Sequence, residues 1–179
     1  DRRRTVTAPT LPSPATPAVA GPRPEPAITI TVHGLPAPQG SKRHVGNGVM
    51  IESSAKVKPW RQDVKHAALE AVSEYPDWQP LDGPLAAHMV FTFARPKGHF
   101  RTGRNAHLLR DAAPSRPMSY PDASKIARST EDALTDAGVW VDDSRVVELS
   151  VEKRYANDGP DALNVPGVVI RIWRIWSTP

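Results

Sequence analysis

Apolar residues alternate with threonines at Ile28, Ile30 and Val32, and this period of two predicts a strand opening the ordered part of the chain near Ala27. The next stretch, residues 34–48, is rich in Gly, Pro and Ser and reads as a loop, followed by a short strand at 50–52. From residue 59 to 73 the period changes. Trp60, Val64, Ala67, Ala68, Ala71 and Val72 form one stripe at helical spacing, and Pro59 suits a first helical turn. Residues 85–94 return to alternation through Met89, Phe91 and Phe93. A second helix is predicted over 123–136, with Asp122 as N-cap, Gly138 as the stop, and Ile126, Thr130, Ala133 and Leu134 facing inward. Val147, Leu149, Val151 and Lys153 then alternate with Glu148, Ser150, Glu152 and Arg154, a strand with one face buried; residues 168–173 close the fold as a last strand able to pair with it. The fold class expected is α+β: a mixed or antiparallel sheet with two helices packed on it.

Two segments fall outside this pattern. Residues 1–26 carry prolines at 9, 12, 14, 17, 22, 24 and 26, which block both helix and ladder, so a disordered Pro-rich tail is expected ahead of one domain spanning 27–179. Residues 95–121 hold Arg95, Lys97, Arg101, Arg104, Arg110 and Arg116 with few aliphatics, and loops of this length in a compact domain usually serve a function.

Composition narrows the chemistry. The 179 residues include 23 Lys and Arg against 19 Asp and Glu, a net charge of +4. That surplus favours acidic partners, nucleic acid first among them. The absence of cysteine removes disulfides, thiolate nucleophiles and Cys-based zinc sites, and the six histidines show no HxxxH or HExxH spacing. No apolar run approaches the roughly 20 residues of a membrane helix. The basic start, Asp1-Arg2-Arg3-Arg4, lacks the apolar segment of a secretory signal, so no membrane association and a cytoplasmic location are expected; the chain opens without Met, as a fragment or an odd start site would.

The acids at Asp122, Asp132, Asp142 and Asp143 are the densest candidate site. Asp122 falls where a loop enters the second helix, and Asp142-Asp143 where that helix returns towards a strand. If the helix packs back, the carboxylates meet, repel one another, and invite a cation. Mg²⁺ takes oxygen ligands and leaves room for water and phosphate, which suits phosphodiester hydrolysis. On spacing alone an ordinary helix cap and an ordinary Asp-Asp-Ser turn account for the same residues. Arg128 shares a helical face with Ser124 and Asp132; it can clamp phosphate, or simply pair with Asp132. Lys42, Arg43, Lys56, Lys58, Arg61, Arg95, Lys97, Arg101 and Arg104 precede the acids and are able to hold a polyanion around them.

The stretch Tyr120-Pro121-Asp122-Ala123-Ser124-Lys125 through Asp132-Ala133-Leu134, Ala137-Gly138 and Asp142-Asp143 to Val146-Val147 resembles the core motif of RusA-like Holliday-junction resolvases, approximately PDxDNLxKxxxDALxxAGxxxDDxxVV. The likeness runs over residues 121–153. A looser one covers residues 36–43, Lys58-Pro59-Trp60-Arg61 and Arg95-Pro96-Lys97, as in phage-type actinobacterial members. The resemblance implies a homodimeric α+β endodeoxyribonuclease that binds four-way junctions in DNA recombination and repair and nicks opposing strands with Mg²⁺. It makes Asp122 and Asp143 catalytic aspartates, Asp142 their neighbouring acid and metal ligand, and Arg128 the counterpart of an essential basic residue that is usually Lys. Lys42, Arg43, Lys58, Arg61, Arg95, Lys97, Arg101, Arg104 and Lys125 become the expected DNA contacts. Ser124 stands where the family carries a second aspartate, and Lys125 where it often has Asn. The alternative is therefore a branched-DNA-binding protein with a weakened site. A non-nucleic-acid enzyme using Asp122 and Asp143 as acid and base is disfavoured by the basic loops. Phosphodiester hydrolysis by this protein is expected to require Asp122 in a shared pocket with Asp142 and Asp143.

Overall fold

The computed structural model describes residues 24–40, 42–44, 50–52 and 55–175, and side chains for 24–40 and 55–175. Residues 1–23 of the expected tail and the side chains of Lys42 and Arg43 lie outside the described residues.

The main sheet has the order β1-β6-β4-β5, from strands Ile28–His33 (β1), Leu85–Phe93 (β4), Val146–Tyr155 (β5) and Gly167–Arg174 (β6). β6 runs antiparallel to both β1 and β4, while β4 and β5 are parallel. The sheet is mixed, as expected, but the last two strands do not pair with each other: β4 lies between them. A parallel pair needs a long crossover, and residues 94–145, carrying α2, supply it. Lys42–His44 (β2) and Met50–Glu52 (β3) form a separate two-stranded ribbon, so part of the expected 34–48 loop is strand.

The helices Val57–Ser73 (α1) and Ala123–Asp136 (α2) cover one face of the sheet. Their apolar stripes and the inward residues of β1, β4 and β6 make one core, including Trp60, Val64, Ile126, Leu134, Met89, Phe91, Ile30 and Ile170. Buried polar groups are satisfied there. Trp60 Nε1 donates to Thr130 Oγ1 at 3.1 Å, and Ser129 Oγ donates to Ala37 O at 2.7 Å, tying the chain before β2 to α2. Gly167 is a close-approach glycine, since a Cβ there would run into Val32 O across the β1–β6 ladder. Gly138 at φ +70° ends α2 as the sequence predicts.

β5 departs from its expected pattern. Val147 is 62% and Leu149 45% exposed, although both belong to the alternation read as a buried face. The register slips between Leu85 and Ala86, and β5 is the sheet's edge, so with Val146 packed against the core the strand leaves it over residues 147–150. No described helix is long and apolar enough to cross a membrane.

Candidate active site

Asp122 occupies the N-cap position of α2 in extended backbone, but its side chain makes no capping hydrogen bond. The carboxylate is 59% exposed and lies 3.3 Å from Lys125 Nζ, one turn on. An ordinary cap therefore does not account for it. The approach to Asp122 is fixed from β5: Lys153 Nζ donates to Ser119 O at 2.7 Å and to Pro121 O at 2.9 Å. Ser124, Lys125 and Arg128 are exposed on the following turns.

Asp142 and Asp143 sit past the other end of α2. Leu81 N donates to Val139 O and Val141 N to Leu81 O, which anchors the return of the chain. Asp142 caps a 3-10 turn over Asp143–Arg145, accepting from Ser144 N at 2.9 Å, and Arg145 Nε donates to Asp82 Oδ1 at 2.6 Å. The hydrogen bonds from Ser144, with help from the Arg145 charge, hold the Asp142 carboxyl below the usual range; Arg145 and the Gly83 N–H do the same for Asp82. Asp143 is exposed and faces back onto α2. Together with Arg61, Asp132, Thr135 and Asp136 it lines an open cavity of about 250 Å³. Glu131 belongs to the same cluster. Burial pushes its carboxyl up, and the neighbouring Asp143 and Asp132 charges add to that rise against a lowering by Arg128.

The two ends do not meet within one copy. At a rise of 1.5 Å per residue, Glu131 lies about 13 Å along the helix axis from Asp122. Along β5, Val146 beside Asp143 and Lys153 beside Pro121 are about 23 Å apart at strand rise. Among the described residues no group of His, Cys, Asp or Glu gathers in numbers able to hold a metal ion. The expected convergence of Asp122 with Asp142 and Asp143 in a single pocket is therefore corrected. α2 is a rigid rod, the acids flank its opposite ends, and the Leu81 bridge keeps the second end from folding back. One copy by itself does not fit the divalent ion.

The expected DNA contacts divide in the same way. Lys58, Lys97 and Arg104 are exposed. Arg61 instead spans the helices, donating to Asp136 Oδ2 at 2.9 Å and lying 3.5 Å from Asp132 Oδ2, so Asp132 has Arg61 as its cation. Arg95 lies 3.9 Å over the Tyr155 ring and donates to Pro114 O, and Arg101 pairs with Asp111 at 2.7 Å. The basic loop is built rather than loose: Phe100 and Leu109 bridge antiparallel, and Arg104 and His107 sit exposed at the tip. Asp82 was not anticipated: it meets the site beside the Leu81 bridge and through Arg145, a partner 63 residues away in sequence that no local pattern records. Glu131, legible as a neighbour of Arg128 on α2 and able to stand in for the acid missing at Ser124, does join the acids at this end.

The α+β fold is shown by the structure, and the class, an endodeoxyribonuclease, by the relatives. Residues 33–172 match the family model described as Endodeoxyribonuclease RusA. The chain is also 30% identical over 133 residues, 73% of its own length and 89% of the other's, to the "Uncharacterized protein YqaN" of Bacillus subtilis (strain 168). The chain belongs to the RusA endodeoxyribonuclease family, whose members are metal-dependent nucleases that bind branched DNA.

Proposed function

We propose that this protein resolves four-way DNA junctions as a homodimer whose two active sites are each shared between copies. The observation that carries this reading is the pairing of separated acids with an uncovered edge. Asp143 precedes the start of β5, Asp122 is held against its end through Lys153, and the β5 edge exposes Val147 and Leu149. Long apolar edges are surfaces for strand pairing. Antiparallel pairing of β5 with β5 of a second copy sets the start of each strand beside the end of the other. Asp142 and Asp143 of one copy then approach Asp122 of its partner, twice over, and a two-fold protein matches a two-fold junction.

In that arrangement Asp122, Asp142 and Asp143 are the residues that would hold Mg²⁺, which supplies an activated water and charge neutralisation at phosphate. The rest falls to the chain's own groups. Arg128, exposed two turns into α2, clamps a phosphate oxygen; Lys58, Lys97 and Arg104 hold the flanking backbone. Arg61, Arg95, Arg101 and Lys125 are engaged within the chain and add less. The catalytic domain is residues 27–179, acting on DNA in the cytoplasm, with 1–26 as a tail.

A specific observation favours the weaker-site variant of this reading. Lys125 neutralises Asp122 at 3.3 Å where Ser124 brings no second carboxylate, so the ion has less charge to bind. Junction binding then outlasts cutting.

The test is complementation. Asp122→Asn and Asp143→Asn are each expected to nick a synthetic four-way junction poorly in Mg²⁺. Co-expressed, half the dimers carry one copy of each, and in these one shared site is intact, restoring about a quarter of wild-type sites by symmetry. Failure of the mixture to nick, with both variants folded and dimeric, ends the shared-site reading.

A further inference from the structure

A small cavity of about 160 Å³ reaches the residue before Asp122, walled by Phe93, Ala94, Tyr155, Pro96, Tyr120, Pro121 and Lys153. Pockets for whole small molecules run to about 300–1,000 Å³, so this one suits a single planar ring system. Its walls are fixed in advance. Proline rings restrict the backbone, Lys153 is anchored on two carbonyls, and the buried Tyr155 ring is held by Arg95 on its face and by the edge-on His99 ring at 5.7 Å. Tyr120 in that wall is 74% exposed and stands two residues before Asp122.

We propose that this cavity is a subsite for one unstacked nucleobase of the branched DNA, next to the phosphodiester addressed by Asp122, with Tyr120 as its stacking platform. The inference rests on the nuclease reading and deepens it. An aromatic wall with the Lys153 cation beside it matches a flat π-system attached to a phosphate, and stacking on aromatic side chains is how proteins hold splayed bases. Extrusion is cheapest where stacking is already interrupted, as at a branch point. The occupant is thereby DNA rather than an apolar side chain of the second copy, such as the half-exposed Val141.

The experiment measures binding in EDTA to synthetic four-way junctions with an abasic site scanned through the nucleotides flanking the branch. At one position wild type is expected to bind the junction with its base about tenfold tighter than the abasic one, the order of one stacking contact. Tyr120→Ala and the cavity-filling Ala94→Leu should each bring that ratio to about one, while Tyr120→Phe keeps it. A wild-type ratio near one at every position, or an unchanged ratio in both altered proteins, overturns the subsite. So does loss of the dimer in Tyr120→Ala with the base ratio intact, which assigns the cavity to the second copy. Binding without any nicking in Mg²⁺ sinks hydrolysis alone and leaves the ratio decisive; no junction binding at all removes both.

Discussion

On the outer face of the sheet and in the turn beyond it, Glu152, Asp158 and Asp161 each have their own base. Glu152 lies 2.5 Å from Arg154 and 3.1 Å from His88, Asp161 pairs with Arg171, and Asp158 lies 2.6 Å from Arg116. Glu152 and Asp161 titrate below their ordinary range, held there first by hydrogen bonds from Arg154 and Arg171 respectively. Past the C-terminal end of α2 the arithmetic is different. Asp132, Asp136 and Asp143 share one cavity with the single guanidinium of Arg61, and Glu131 beside Asp132 and Asp143 titrates above its range because it is half-buried among like charges. The first region is neutral within the chain and holds the fold. The second keeps surplus negative charge at the surface, unneutralised within the chain.

The sharpest way to break the comparison is to remove one acid from each region. Asp143→Asn should lower junction nicking in Mg²⁺ by at least about a hundredfold, on the scale of losing one electrostatic contributor to a transition state, while binding in EDTA changes little. Asp161→Asn should leave nicking unchanged and lower stability by about 1–2 kcal/mol in urea, because Arg171 loses its partner. Equal effects of the two on nicking would erase the distinction.

A smaller effect sharpens it at the other end of α2. Ser124→Asp combined with Lys125→Asn restores the family's acid and removes the cation at Asp122; nicking at limiting Mg²⁺ should rise about tenfold. No gain would show that the carboxylates already present suffice.

The smallest effect is on stability against pH. The folded pKa of Glu131 is raised, so its contribution to stability is complete below the unfolded carboxyl range and is lost as pH rises through the folded value. Glu131→Gln, melted in EDTA, should therefore be more stable than wild type at neutral pH by about 0.5 kcal/mol after allowing for solvent screening, with the difference vanishing below about pH 4. A constant difference across that range would place the strain elsewhere.

Much of this was readable along the chain because it depends on near neighbours. The helix over 123–136 is marked by its stripe, by Asp122 and by Gly138; the motif from Asp122 to Asp143 carries the family; the alternation through β1 and β4 sets the core face. Side-chain period and backbone sterics act over a few residues, and sequence records them directly. What tertiary structure alone decided depends on partners far apart. Whether Val147 and Leu149 are buried turned on β5 ending up at an edge, where β4 rather than β6 became its neighbour. Arg61, which reads as a DNA contact, is drawn to Asp132 and Asp136 because α1 packs against α2. The distance between Asp122 and Asp143 is set by the length of a rigid helix and the anchoring of its return at Leu81, so acids close in the motif stand at opposite ends of one copy.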